Sequence, residues 1–165
     1  MIAAISEFFL QTLGRRWCVF LCSVLPVIEL RGAIPLGAGL GLHPLESYLL
    51  AVVGNLLPVP FLLLFIRWIL IGMKKVPGLR KIAVWLEGKA EKNRAKVEKY
   101  AFWGLFLFVA IPLPGTGAWT GSLVAALMGM RFSKAQLSIT GGVMVAGVLM
   151  TLISYGVAAV FSSWF

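Results

Sequence analysis

The sequence predicts an all-α integral membrane protein. It is an inverted repeat of a re-entrant helical hairpin followed by a transmembrane helix, with amphipathic interfacial helices alongside. Three observations predict this. First, the 165 residues are 60% hydrophobic and 13% charged, with a mean hydropathy of +0.95. A soluble domain of this size has too few polar residues to cover so much apolar surface, whereas a bilayer accepts it as solvent. Second, the charge-free runs are of two kinds, those long enough to span and those broken near the middle. Third, the two kinds alternate in the same order twice. The whole length, 1–165, reads as a single membrane domain.

Residues 1–16 read as an interfacial helix. Glu7 interrupts the apolar stretch Ile2–Leu13, and Arg15 and Arg16 follow it rather than precede it, so a secretory signal is not expected. Residues 17–42 read as the first re-entrant hairpin. Its first arm, Trp17–Ile28, has twelve residues, which as a helix reach only about 18 Å, short of the roughly 20 residues a span needs. The second arm, Gly32–Leu42, is equally short. Between them Glu29-Leu30-Arg31-Gly32, with Pro35 close behind, reads as a polar tip. Irregular backbone at depth is tolerated only where protein or a cavity surrounds it.

Residues 46–73 read as the first transmembrane helix, around the charge-free run Ser47–Ile66. Residues 74–100 carry nine of the fifteen Lys and Arg residues. Leu79, Ile82, Ala83, Leu86, Ala90, Val97 and Tyr100 recur there at helical spacing, and Lys81, Lys89, Lys92, Lys96 and Lys99 lie mostly off that stripe. This is the pattern of a basic amphipathic helix on an anionic membrane surface. Residues 101–130 read as a second hairpin. Pro112-Leu113-Pro114-Gly115-Thr116-Gly117 puts two prolines and two glycines into six residues, which no helix continues through. The arms are Phe102–Ile111 and Ala118–Met130. Residues 134–162 read as the second transmembrane helix.

A shift of 88 residues lays Pro26 on Pro114, Gly41 on Gly129, Leu49 on Leu137 and Gly54 on Gly142. Each unit crosses the bilayer once, so the second runs upside down, as in transporters with broken helices at the midplane. The net charge of +9 is concentrated in the basic segment and reads as a topology signal. It places 74–100, Arg131 and Lys134 on the cytoplasmic side of a cell (plasma or inner) membrane, and His43 and both termini outside. Arg15 and Arg16 oppose that placement. Nucleic acid is not expected as a partner.

Glu29 and Arg31 are the leading candidates for function. A charge at bilayer depth is costly, so such residues pair, bind or carry ions. Arg31 is able to fork onto a phosphate or carboxylate, and Glu29 is the candidate proton-coupling group. Their alternative role is to neutralise each other and hold the tip together. In the second hairpin, open backbone N–H groups and the N-terminus of the following arm form a candidate anion cradle, with a tight turn as the structural alternative. The expected substrate-binding set is Glu29, Arg31, Gly32, Asn55, Pro114, Gly115, Thr116, Gly117 and Thr120. Asn55 has a structural alternative of its own, satisfying backbone freed by Pro58 and Pro60. Cys18 and Cys22 read as small hydrophobes on one helix face. With no aspartate and one histidine, no catalytic set and no metal site can be assembled. An enzyme, a cofactor and a metal are therefore not expected.

The strings Pro26-Val27-Ile28-Glu29-Leu30-Arg31-Gly32-Ala33-Ile34-Pro35-Leu36-Gly37 and Pro112-Leu113-Pro114-Gly115-Thr116-Gly117-Ala118-Trp119-Thr120-Gly121 resemble the putative small multi-drug export protein family. That family looks like a compact relative of the DedA (VTT) superfamily. The resemblance implies two re-entrant hairpins in inverted repeat and movement of polyprenyl phosphates or phospholipids between leaflets, with Glu29 and Arg31 as the acidic and basic positions of the first hairpin. This chain departs from that superfamily in the second hairpin, where Thr116, Trp119 and Thr120 stand in place of arginines.

The expected function is a small transporter or flippase of amphipathic substrates such as lipid phosphates, coupled to protons through Glu29. The alternatives are a small multidrug or cation exporter and a non-transporting membrane scaffold subunit. Membrane lipids are expected partners. So is a second copy, as a homo-oligomer and first of all a dimer, because two hairpins and two spans barely enclose a cavity. A transporter should show a wet cavity reached by Glu29, Arg31 and Thr116; a scaffold should seal them in protein.

Overall fold

In the computed structural model, residues 2–73, 94–113 and 115–164 are described, and every element among them is an α-helix. Helix α1 (Ile2–Val24) bends at Gly14, whose φ of 83° lies in the left-handed region glycine tolerates. The interfacial stretch and the first hairpin arm thus meet at a kink.

The first break spans Leu25–Ile28, earlier than the charges imply, and α2 (Glu29–Gly39) begins on Glu29. Glu29 and Arg31 therefore occupy the first turn of α2 and not a loop. Pro26 accounts for the difference, because it disfavours helical backbone at Leu25. The turn back into helix passes through Glu29 itself, with a φ of 51°. Pro35 sits inside α2, where it cannot donate to the Arg31 carbonyl.

Helix α3 (Pro44–Leu56) has proline in its first turn, with the His43 side chain accepting from the Leu45 N–H. The expected single helix 46–73 is interrupted at Leu57–Pro58, and α4 (Val59–Met73) follows. Leu57 keeps helical angles, and Pro44–Ile66 remains one apolar stretch of 23 residues, long enough to cross a bilayer.

Residues 74–93 lie outside the described residues, and with them most of the expected surface helix 74–100. Its last part, from Arg94, runs without a break into the hairpin arm as α5 (Arg94–Ala110). After the second break come α6 (Ala118–Leu127) and α7 (Phe132–Trp164). Phe132–Val157 is the second stretch able to span.

Helices α1, α2 and α3 pack mutually, as do α5, α6 and α7. Between the two groups α2 lies against α7, α4 against α6, and α3 and α4 also touch α7. Small residues set the close approaches. A Cβ at Gly37 would fall on Ser47, one at Gly54 on the Phe20 carbonyl and Ser23, and one at Gly142 on the Phe106 carbonyl and Val109. Leu30, Ile34, Val59, Val109, Ile139 and Val143 fill the core. Much of the exterior is apolar too. Leu45, Leu49 and Val53 form an exposed stripe on α3, Leu57 carries it across the interruption, and Phe61, Phe65 and Trp68 continue it on α4. A bilayer solvates such a surface and water does not.

Candidate functional site

The two breaks meet. Arg31 Nη1 donates to Glu29 Oε2 at 3.0 Å. Its Nη2 reaches the Val109 and Ile111 carbonyls, each at 3.2 Å, and Thr116 Oγ1 at 3.0 Å. The guanidinium is thus seated at the C-terminus of α5, where carbonyls lack helical partners and the helix dipole is negative. Glu29 does the converse. Its Oε1 accepts from the Trp119 N–H at 3.4 Å, in the first turn of α6, where the dipole is positive.

The second break is closed by its own polar groups. Thr116 Oγ1 lies 2.9 Å from the Ile111 carbonyl and 3.0 Å from that of Leu113, and the Thr116 N–H donates to Leu113 at 3.2 Å. The Gly117 N–H donates to Thr120 Oγ1 at 2.8 Å. Gly117 is buried, and a Cβ there would fall on the Glu29 carboxylate. The anion at the start of α6 is therefore the chain's own Glu29, and the N–H groups of Thr116, Gly117 and Trp119 are already engaged.

Of the expected site residues, Glu29, Arg31, Thr116, Gly117 and Thr120 come together here. Gly32 lies on α2 beside Arg31, but its missing side chain faces Ile28. Gly115 is exposed at the turn. Pro114 lies outside the described residues. Asn55 is buried on α3, and its Oδ1 has no hydrogen-bond partner.

The expected substrate-binding set left out Trp119, which the sequence marks only as standing where relatives carry arginine, and the carbonyls of Val24, Val109 and Ile111. Trp119 bonds twice across the junction, through its N–H to Glu29 and through its indole Nε1–H to the Val24 carbonyl at 3.1 Å. The signal available was position: a tryptophan in the first turn after a Pro/Gly break, where N–H groups and a flat ring both lack local partners.

Glu29 is 8% exposed, and the Arg31 side chain 17%. Beside them an open groove of about 880 Å³ runs along α4, lined by Leu57, Pro58, Phe61, Phe65, Trp68 and Trp119 among others. Trp119 belongs to both the groove and the ion-pair junction. Among the described residues no cluster of His, Cys, Asp and Glu is arranged to hold a metal.

No curated protein and no solved structure matches the chain. The family model described as "Putative small multi-drug export protein" matches residues 29–149, beginning on Glu29 itself. That match covers well over half of the sequence, from the residue that follows the first break through the second break, so the chain belongs to the putative small multi-drug export protein family of membrane proteins.

Proposed function

We propose that the chain is a small membrane exporter of amphipathic molecules that works by opening and closing the contact between its two helix breaks. The observation that carries this is the Glu29–Arg31 pair, which ties both breaks together deep between the spans. Asn55 is the central residue of Pro44–Ile66, eleven residues from each end, or about 16 Å along the helix from each end of that stretch. Its neighbour Gly54 packs against Ser23, just before the first break, and Gly142 packs against Val109, whose carbonyl Arg31 holds. In this reading the buried ion pair seated on two helix ends is a latch, satisfied only while both breaks face each other.

The same contacts support the inverted repeat. Phe20 and Ser23 stand against Gly54 as Phe106 and Val109 stand against Gly142, and α2 on α7 mirrors α6 on α4. The hairpins are re-entrant in this reading, as in the DedA architecture, and the basic segment faces the cytoplasm of a plasma or inner membrane. Arg15 and Arg16 carry little weight against that topology, since Arg15 caps the Leu40 carbonyl and Arg16 pairs with Glu46. The working unit is a dimer, and Glu29 remains the proton-coupling group.

An amphipathic small molecule suits the geometry better than a lipid phosphate. Arg31 already serves four acceptors and the N-terminus of α6 already holds a carboxylate, which leaves no free fork for a phosphate. A non-transporting scaffold is the second reading, favoured by the burial of the pair.

The test is reconstitution. Vesicles loaded with ethidium, and separately vesicles carrying a labelled polyprenyl phosphate in one leaflet, compare wild type with Glu29→Gln and Arg31→Ala. Dye release from wild type, at least tenfold slower in both variants and with little phosphate exchange, is the expected result. Release no faster than from empty vesicles in all three sinks the exporter reading and leaves the scaffold.

A further inference from the structure

Trp119 stands in the second half of the chain where Arg31 stands in the first, and the two play matching parts. The shift of 88 residues that lays Pro26 on Pro114 also lays Glu29 on Gly117 and Arg31 on Trp119. Arg31 and Trp119 each sit in the first turn of the helix that follows a break. Each reaches across to the C-terminal end of the arm in the other half. Arg31 Nη2 donates to the carbonyls of Val109 and Ile111 at the end of α5, and Trp119 Nε1 donates to that of Val24, the last residue of α1. Those ends leave carbonyls open. The Ile28 N–H donates to Leu25 rather than Val24, and the Leu113 N–H to Ile111 rather than Val109. Two reciprocal latches therefore hold the junction, one charged and one neutral.

The latches are unequal. Arg31 serves four acceptors, one of them a carboxylate. The Trp119 indole makes a single neutral hydrogen bond, the weaker kind. Its ring also lines the open groove beside α4, which Arg31 does not. Whatever fills the groove therefore touches the weaker latch.

Position and chemistry decide what fills it. The groove lies where α4 packs on α6. From Leu57 to Trp68 it follows the helix for about 16 Å. Its inner end is two residues past Asn55, the centre of Pro44–Ile66, and its outer end lies just beyond Ile66, at the level where tryptophan meets headgroups. Phe61, Phe65 and Trp68 are exposed, so the groove opens sideways to hydrocarbon. No lining side chain is charged, so a ligand's charge is tolerated only at the outer end. There Phe65 and Trp68 stack with ring centroids 6.5 Å apart, and aromatic faces attract cations and not anions. The rings of Phe61 and Trp119 suit a flat aromatic body further in, and a volume of about 880 Å³ is that of a small-molecule site.

We propose that this groove is a lateral entry site for flat aromatic cations dissolved in the leaflet, and that an occupant frees the Trp119 indole from Val24 as the first step in opening the junction. The ring system lies between Phe61 and Trp119, and the charge stays by Trp68. This rests on the exporter reading and gives its route of entry.

The test is ethidium binding to the full chain in phosphatidylcholine nanodiscs, read from dye anisotropy and corrected for empty nanodiscs. Phe61→Ala should bind about fivefold more weakly, while Leu49→Ala, on the same exposed stripe but outside the groove, should match wild type. Trp119→Phe keeps a ring and loses the indole N–H. It should bind about fivefold tighter, because the dye no longer has a hydrogen bond to break; a residue that merely lines the wall would give equal or weaker binding. Dodecyltrimethylammonium, a cation without rings, should displace the dye poorly. Equal binding by wild type and Phe61→Ala, or ready displacement by the alkyl cation, overturns the site. Equal or weaker binding by Trp119→Phe overturns the latch. Should Trp119→Phe fail to fold, Val27→Cys beside the first break, in a chain without Cys18 and Cys22, gives the same reading. Saturating ethidium should speed its labelling by a charged maleimide, and an unchanged rate overturns the latch. Groove binding without dye release in the vesicle assay defeats the exporter reading only, and dye release unaffected by Phe61→Ala defeats this proposal only.

Discussion

Gly117 has no side chain because the Glu29 carboxylate occupies the space one would take. Gly117→Ala should therefore lower thermal stability in detergent by about 1–3 kcal/mol, the usual cost of overpacking. The same change in a Glu29→Ala background should cost clearly less; equal costs would mean the carboxylate is not the obstacle. Arg31→Lys should behave nearly like Arg31→Ala, since an ammonium is unable to fork between Glu29 and the Val109, Ile111 and Thr116 oxygens. Truncating one member of a buried pair costs about 3–5 kcal/mol, measurable by the same melts. Glu29 and Arg31 were legible in the sequence because charges in an apolar run need a reason. Trp119 was not, because half of its role is a backbone N–H that every residue but proline possesses. The carbonyls of Val109 and Ile111 were invisible for the same reason.

Helix ends explain why acid and base stand in this order. Arg31 sits at the negative end of α5 and Glu29 at the positive end of α6. The double variant Glu29→Arg/Arg31→Glu keeps the pair but turns both charges against the wrong dipole. With each helix-end interaction worth up to ~2 kcal/mol when partly buried, the swap should remain roughly 1–3 kcal/mol less stable than wild type and should not restore dye release. Full recovery would reduce the site to mutual neutralisation. At this scale the sequence was informative where proline and glycine act and misleading where charge was used as a proxy. The second break, Ile111–Gly117, was legible from its Pro/Gly density. The first break precedes the charged residues that stand out in the sequence, because Pro26 and not Glu29 or Arg31 ends the preceding helix. The continuous helix from Arg94 into the second hairpin had no signal, since nothing between Arg94 and Ala110 either breaks a helix or marks a boundary.

In the whole molecule the two helix breaks touch, as the proposed re-entrant architecture requires. Loops joining spanning helices lie at opposite faces, with a bilayer's hydrocarbon, about 30 Å, between them. Here Arg31, beside the first break, bonds directly to Ile111 and Thr116 of the second. If both breaks enter a bilayer from opposite faces and meet at depth, neither tip is freely open to water. Val27 is 62% exposed at the first tip, and Gly115 is exposed at the second. Val27 offers an exposed side chain for a probe, and a Cβ at Gly115 would meet no atom within 4 Å, although its φ of 81° strains any side chain placed there. With Cys18 and Cys22 replaced by alanine, Val27→Cys and Gly115→Cys should react slowly with a charged maleimide added to either side of oriented vesicles. A small membrane-permeant thiol reagent should modify both quickly. Rapid charged-reagent labelling of each site from one side only, and from opposite sides, would make the tips surface loops and end the repeat argument. Slow labelling that quickens at both positions in Arg31→Ala would tie their depth to the pair that joins them, because releasing the guanidinium frees both breaks at once.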